Sequence, residues 1–257
     1  MFISSQDLEK IYQDDSVLVL DTRSYKDYSK GHIPGAVSLD LFSFHWADTS
    51  QKGLVSFGEH MRKILSYAGI DENKKIIFYD DVSGMLASRG VWMCLYFSHP
   101  DVQLLDGGLT KWISENLTIA TESTIYKPSN LTTPINSSII IGFEELNENI
   151  DKITIIDARS PDEFDGTIPR AARGGHIPTA KNIDWNNNLD DSGKLKSDEE
   201  LDSLYQMNKE SEIVTYCQGA YRAANSFLSL KKLGFKNVKV YLGSWGEWGN
   251  KMDLPIE

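Results

Sequence analysis

Short apolar blocks punctuate this chain at intervals, each bounded by polar or turn-forming residues. Val17-Leu-Val-Leu20, Ile76-Ile-Phe-Tyr79, Ile153-Thr-Ile-Ile156, Ile213-Val-Thr-Tyr216 and Val238-Lys-Val-Tyr-Leu242 have the length and β-branched content of strands. Between them run helical patterns. Gly90 to Ser98 is nearly continuously apolar, and an alanine-rich pattern from about Ala223 reaches Leu233 and stops at Gly234, a natural cap. Asp198-Glu-Glu-Leu-Asp202 reads as the first turn of another helix, its charges in water. Strands alternating with helices predict an α/β fold, a mostly parallel sheet with helices on both faces.

The pattern occurs twice. Val17-Leu-Val-Leu-Asp-Thr-Arg23 recurs as Ile153-Thr-Ile-Ile-Asp-Ala-Arg159, and Gly31-His-Ile-Pro-Gly-Ala36 as Gly175-His-Ile-Pro-Thr-Ala180. Ile76-Ile-Phe-Tyr-Asp80 matches Ile213-Val-Thr-Tyr-Cys217, and Gly107-Gly-Leu-Thr-Lys-Trp112 matches Gly243-Ser-Trp-Gly-Glu-Trp248. Four pairs in the same order mean one domain written twice. We expect domains at 1–118 and 138–257, joined by a surface connector at 119–137 that is rich in Thr, Ser, Asn and Pro.

The copies differ where chemistry is concentrated. In the second, the strand ending at Tyr216 delivers Cys217 to a tight loop, Gln218-Gly-Ala-Tyr221, and a helix start. A loop wrapped ahead of a helix N-terminus points several N–H groups inward and favours an anion. Such a field stabilises a thiolate, and Arg222 adds a positive charge, so Cys217 is the candidate nucleophile. In the first copy Asp80 stands at this position, and a carboxylate does not replace a thiolate as a nucleophile. That copy is expected to be inactive and to wall the cleft. Cys94 falls within an apolar helix and reads as core packing.

Composition narrows the partners. A net charge of −11 argues against nucleic acid or an anionic membrane surface as the main partner, yet leaves room for a small anionic substrate at a local cationic loop. Two cysteines with no Cys-x-x-Cys, and no histidine at metal-ligand spacing, suggest neither a disulfide framework nor a metal site. The first ten residues lack the pattern of a signal peptide, and no apolar run spans a bilayer. The chain therefore reads as cytoplasmic, a reducing setting that suits a lone thiol.

Taken together, the paired Asp-x-Arg strands, the paired Gly-His-Ile-Pro turns, the loop Cys217-Gln-Gly-Ala-Tyr-Arg222 and the closing Gly243-Ser-Trp-Gly-Glu-Trp248 resemble the two-domain rhodanese sulfurtransferases, of the thiosulfate sulfurtransferase type, over nearly the whole chain. The resemblance implies two tandem rhodanese-like domains, the second catalytic. It implies that Cys217 takes the sulfane sulfur of thiosulfate as a persulfide, releases sulfite, and passes the sulfur to cyanide or a thiol, with no cofactor. A protein acceptor is not indicated. Arg222 and the loop residues Gln218, Gly219, Ala220 and Tyr221 are expected to bind the donor. Arg173 is a further expected contact, since its turn lies beside the catalytic loop in that family.

Other assignments follow from duplication. His32 and His176 both occur in Gly-His-Ile-Pro turns, and since His32 lies in the copy without a cysteine, both are expected to hold the turn. Asp21 with Arg23 and Asp157 with Arg159 are expected to be architectural pairs. Trp245 and Trp248 are expected to pack.

Within the family, thiosulfate-using animal members carry Arg and Lys after the cysteine, and mercaptopyruvate-using members carry small neutral residues. Gln218 and Gly219 fit neither pattern. Glu163 stands where the mercaptopyruvate type has an arginine, and its charge opposes a carboxylate donor, which favours thiosulfate over the alternative 3-mercaptopyruvate. A non-catalytic persulfide carrier or regulatory binding module remains a third reading. A phosphatase loop needs five residues between Cys and Arg to surround phosphate, and only four intervene here.

Overall fold

The computed structural model describes all 257 residues, which divide into two compact units. The first comprises Met1–Phe44, Gly58–Asn136 and Leu189–Leu195. The second comprises His45–Phe57, Ser137–Asn188 and Lys196–Glu257. Two short segments, 45–57 and 189–195, thus belong to a different unit from most of their sequence neighbours.

In the first unit, strands β1 (Phe2–Ile3), β2 (Val17–Asp21), β3 (Val37–Ser38), β4 (Lys75–Tyr79) and β5 (Val102–Leu105) form an all-parallel sheet in the order β1-β5-β4-β2-β3. Helices α1 (Ser5–Glu9), α2 (Tyr25–Tyr28), α3 (Gln51–Tyr67), α4 (Met85–Tyr96) and α5 (Gly108–Ser114) flank it, the first turns of α3 being counted with the second unit. The second unit repeats the plan with β6 (Ile140–Ile141), β7 (Thr154–Asp157), β8 (Lys181–Asn182), β9 (Ile213–Tyr216) and β10 (Val238–Tyr241), ordered β6-β10-β9-β7-β8. Its helices are α6 (Phe143–Glu148), α7 (Pro161–Phe164), α8 (Asp198–Tyr205), α9 (Tyr221–Lys232) and α10 (Ser244–Trp248). None of these helices is long and apolar enough to cross a membrane.

The central strands explain the continuous apolar blocks. Every residue of β9 is buried, as are four of the five in β4, because helices cover both faces of a parallel sheet. The registers are the same: Asp21 of β2 pairs with Tyr79, and Asp157 of β7 pairs with Tyr216. Asp80 and Cys217, the next residues, therefore occupy equivalent places. In each unit the Asp-x-Arg motif forms a buried ion pair, Arg23 with Asp21 at 2.7 Å and Arg159 with Asp157 at 2.5 Å. Each arginine also donates to the glycine carbonyl of its Gly-His-Ile-Pro turn, Gly31 or Gly175. Tyr79 and Tyr216 accept the Ile33 and Ile177 amides of those turns through their hydroxyls. Both motifs are thus one architectural device. His32 bonds through its ring nitrogens to the Tyr28 and Glu122 carbonyls, and His176 to that of Phe164, so each ring is tied to backbone beside its turn.

Helix α4 begins at Met85, five residues ahead of the apolar pattern used to place it, and α9 begins at Tyr221, two ahead. In both cases the first turn follows directly from the loop after the central strand. At its other end α9 stops as expected, with Gly234 at φ +86°. The acidic start of α8 is fixed by a capping box between Ser197 and Glu200. The stretch 119–136 is counted with the first unit. Ala120 bridges to His32, Arg62 donates to the Leu131 and Thr133 carbonyls, and Leu131 is buried.

Cys94 is fully buried in α4, and burial pushes its thiol well above the usual range. Cys94→Ser is expected to cost about 1–3 kcal/mol in urea denaturation, because a hydroxyl enters an apolar site. Turnover is expected to stay within about twofold of wild type, since no reacting group moves.

Candidate active site

Cys217 follows β9, the central strand, at its C-terminal end. There the chain order reverses, with β7 on one side of β9 and β10 on the other, and open α/β sheets bind ligands at such a point. The sulfur's residue is only 1% exposed. Its amide donates to Ser244 Oγ at 3.2 Å, and that hydroxyl donates to the Tyr241 carbonyl. The carbonyls of Cys217 and Gln218 accept from the Trp245 and Gly246 amides at 2.9 Å each. Helix α10, built from the closing Gly-Ser-Trp-Gly-Glu-Trp motif, is therefore what holds the carbonyl side of the loop.

The other side of the loop is different. The amides of Gln218, Gly219, Ala220, Arg222 and Ala223 donate to no carbonyl or side chain of the protein. Ala220 sits at φ +67°, a left-handed conformation costly for a residue with a β-carbon. That turn of the chain, immediately before α9, gathers N–H groups into a concave nest at a helix N-terminus. Gly219 has no room for a side chain: a β-carbon there would strike the imidazole of His45.

The first unit supplies the control. Asp80 places its carboxylate in the matching nest, where Oδ1 accepts from Val82 and Gly84 and Oδ2 from Leu86 and Ala87, at 3.0–3.2 Å. The nest thus carries its own anion. Burial dominates and raises the Asp80 carboxyl to about 6, although the four amides pull it down. Its contribution to stability is full below its unfolded value of 3.8 and is lost as pH rises through about 6. Wild type is expected to lose on the order of 3 kcal/mol across that window through this group. Asp80→Asn should remove that component when chemical denaturation is compared at pH 4 and pH 7.

Arg222 is the cation of the loop. Its guanidinium faces both the Cys217 sulfur and the Glu163 carboxylate, which it meets in two bonds at 2.5 and 3.0 Å. Burial works against its charge, but these partners raise its pKa further above the ordinary arginine value. Burial would raise Glu163, yet hydrogen bonding from Arg222 overcomes this and holds its carboxyl at about 2. Arg170 reaches the same carboxylate at 3.4 Å. Sequence reasoning weighed Glu163 as a repulsive charge and missed that it neutralises Arg222. The signal available was its place at the third position of α7, where Ser160 and Glu163 form a capping box beside the loop.

Arg173 is engaged elsewhere than at the loop amides. It was expected to touch the donor, but its guanidinium donates to the carbonyls of Trp248, Gly249, Lys251 and Leu254. Four of its five N–H groups are so occupied, and it clamps the end of α10 and the tail beyond. Gln218 turns its Nε2 to the Arg170 carbonyl at 3.0 Å, leaving Oε1 buried without a partner. Tyr221 is buried, with its ring parallel to that of His45. Trp245 and Trp248 are fully buried, Trp245 beneath the Arg159 guanidinium at 4.6 Å. No group of three or more His, Cys, Asp or Glu side chains is placed to hold a metal ion.

Comparison with known proteins places this geometry in context. A family model described as a rhodanese-like domain matches residues 4–115 and 143–251. The sulfur carrier protein TtuD of Thermus thermophilus is 34% identical, covering 100% of this chain and 96% of that protein. The thiosulfate sulfurtransferase of Azotobacter vinelandii is 30% identical over 100% of this chain and 97% of its own. Among solved structures, SseA of Escherichia coli, described as a 3-mercaptopyruvate sulfotransferase, superposes with a TM-score of 0.81 at 26% identity, covering 95% of this chain and 98% of that one.

Proposed function

This chain belongs to the rhodanese-like domain family, and on that premise we propose that it is a sulfurtransferase that moves the sulfane sulfur of thiosulfate through a persulfide on Cys217. The thiolate bonds to the outer sulfur, the sulfur–sulfur bond of thiosulfate breaks, and its electron pair leaves with sulfite. A thiol or cyanide then takes the sulfur and returns the thiolate. The observation that carries this reading is the nest of unoccupied amides around Cys217, set against an equivalent nest that Asp80 fills with a carboxylate. Donors already oriented toward an anion stabilise both the negative persulfide and the departing sulfite. Gln218, Gly219, Ala220 and Tyr221 supply the loop, and Arg222 its charge.

Two features bear on the donor. Likeness to SseA favours 3-mercaptopyruvate. The Glu163 carboxylate beside Arg222 lowers the positive charge offered to a carboxylate donor, and on that ground thiosulfate is the donor we propose. Likeness to TtuD supports a carrier that hands its persulfide to another protein's thiol. A reducing compartment such as the cytoplasm suits the unpaired thiol.

Intact mass before and after thiosulfate, and again after cyanide, tests the proposal. The expected result is a gain of one sulfur atom that cyanide removes. Gain with 3-mercaptopyruvate alone would transfer the assignment to that donor, and gain with neither would end the enzyme reading.

A further inference from the structure

The Cys217 loop leans on a residue held in a conformation that it does not favour. Ser244, the first residue of α10 and fully buried, has φ +51°, in the left-handed region that is costly for a residue with a β-carbon. In that conformation its hydroxyl accepts the Cys217 amide at 3.2 Å and donates to the Tyr241 carbonyl at 2.9 Å. One turn on, Glu247 buries its carboxylate, 4% exposed, among neutral donors. Oε1 accepts the Thr49 amide at 2.9 Å, and Oε2 accepts the Thr49 and Tyr241 hydroxyls. Thr49 Oγ1 in turn accepts the Phe143 amide at 3.0 Å. The same carboxylate folds back over Gly243, where a β-carbon would strike Oε2. Tyr241 thus meets Ser244 through its carbonyl and Glu247 through its hydroxyl.

The first unit shows which of these features the loop itself requires. There the Leu109 and Thr110 amides donate to the Asp80 and Asp81 carbonyls at 2.8 and 3.0 Å, the same grip that Trp245 and Gly246 exert on Cys217 and Gln218. Yet the equivalent of Ser244 is Gly108, at φ +57°, a conformation that glycine adopts without strain. The equivalent of Glu247 is Lys111, which turns to Glu115 at 3.0 Å. Strained serine and buried carboxylate therefore occur together, in the copy with the thiol, while the grip on the loop carbonyls needs neither. A strained residue persists only where its surroundings over-determine it. We infer that Glu247 is a positioning residue for Cys217: its anchor on Thr49 and Tyr241 holds Ser244 left-handed, and Ser244 in turn fixes the backbone of the nucleophile beside the nest. The inference takes from the sulfurtransferase reading only that Cys217 is the reacting group.

Alkylation of Cys217 by iodoacetate and by iodoacetamide, with rates followed by intact mass, tests this. The two reagents are alike in size, so the ratio of their rates cancels access and reports how far the loop favours an anion at the sulfur. Glu247→Ala is expected to lower that ratio about tenfold, the scale of one hydrogen bond to a charged group. Ser244→Gly, which relaxes the backbone and removes the hydroxyl, should lower it as much. The double variant should lose nothing further, because the carboxylate acts through the serine. Glu247→Gln should stay within about threefold of wild type, since a hydroxyl can turn to accept from its amide group. Losses that multiply to about a hundredfold in the double variant would overturn the inference. So would an unchanged ratio in folded Glu247→Ala, or a loss with glutamine as large as with alanine. If Glu247→Ala does not fold, Thr49→Val, which removes one donor of the anchor, takes its place in the cycle with the same expected non-additivity. A cycle of the expected form in a protein that takes sulfur from neither thiosulfate nor 3-mercaptopyruvate would leave the inference standing and refute the transfer reaction instead.

Discussion

Cys217→Ser is expected to abolish sulfur transfer, with turnover falling by at least about a thousandfold, as when an enzyme's nucleophile is removed. Serine fits the same small, buried position, so the amide of residue 217 can keep its bond to Ser244 Oγ and the loop its bonds to α10. The nest remains and still favours an anion, but a hydroxyl is too basic and too hard a nucleophile to attack sulfane sulfur at neutral pH. Thermal unfolding should shift by no more than a few degrees, the scale of a change below about 1 kcal/mol. Turnover near the wild-type rate in a folded Cys217→Ser protein would remove the persulfide from the reaction altogether. Because Cys94 is buried and inert, it offers no second nucleophile to confuse the result.

Glu163→Ala is expected to destabilise the chain by about 3 kcal/mol at pH 7, since the Arg222 side chain, 14% exposed, is left with its charge and without its carboxylate. The acid side of the stability curve reports the same pair. Glu163 is held at about 2 in the folded protein against 4.5 for the free group. A depressed acid contributes fully above pH 4.5, and that contribution, on the order of 3 kcal/mol, is lost as pH falls toward 2. Glu163→Gln should therefore lose stability less steeply than wild type on acidification, in the opposite sense to Asp80→Asn, which removes a loss that occurs on raising pH. Denaturant titrations at pH 7 and pH 3 separate the two groups. Parallel curves for wild type and Glu163→Gln would mean that the ion pair is not maintained in solution. The same change should lower the Michaelis constant for thiosulfate, because Arg222 then faces the donor with its charge unshared. An activity gained at the expense of stability is the signature of a charge held in reserve by its neighbour.

What could be read along the chain was whatever depends on local order. Continuous apolar blocks give buried parallel strands wherever helices cover both faces, and the repeated Asp-x-Arg and Gly-His-Ile-Pro segments mark two copies without any structure. The cysteine, the tight loop and the arginine lie within six residues, so β9, the nest and the start of α9 follow from one stretch. Asp80 against Cys217 declared which copy carries the thiol, for the same reason.

Only the tertiary structure decided which groups those residues meet. A charged side chain takes the partners that packing brings within a few ångströms, and sequence separation says nothing of that distance. Arg173 has the type and neighbourhood of an anion contact, yet carbonyls at the end of α10 reach it first. Glu163 reads as a lone acid on a short helix, and it is the counter-charge of Arg222. His45 and Thr49 carry no motif, and they belong to the second unit, where Glu247 buries its carboxylate on Thr49. The chain's own order thus determined that a cysteine, a tight loop and an arginine stand together ahead of a helix, while long-range burial, which forces each polar group to find a partner, determined which counter-charges that arginine meets.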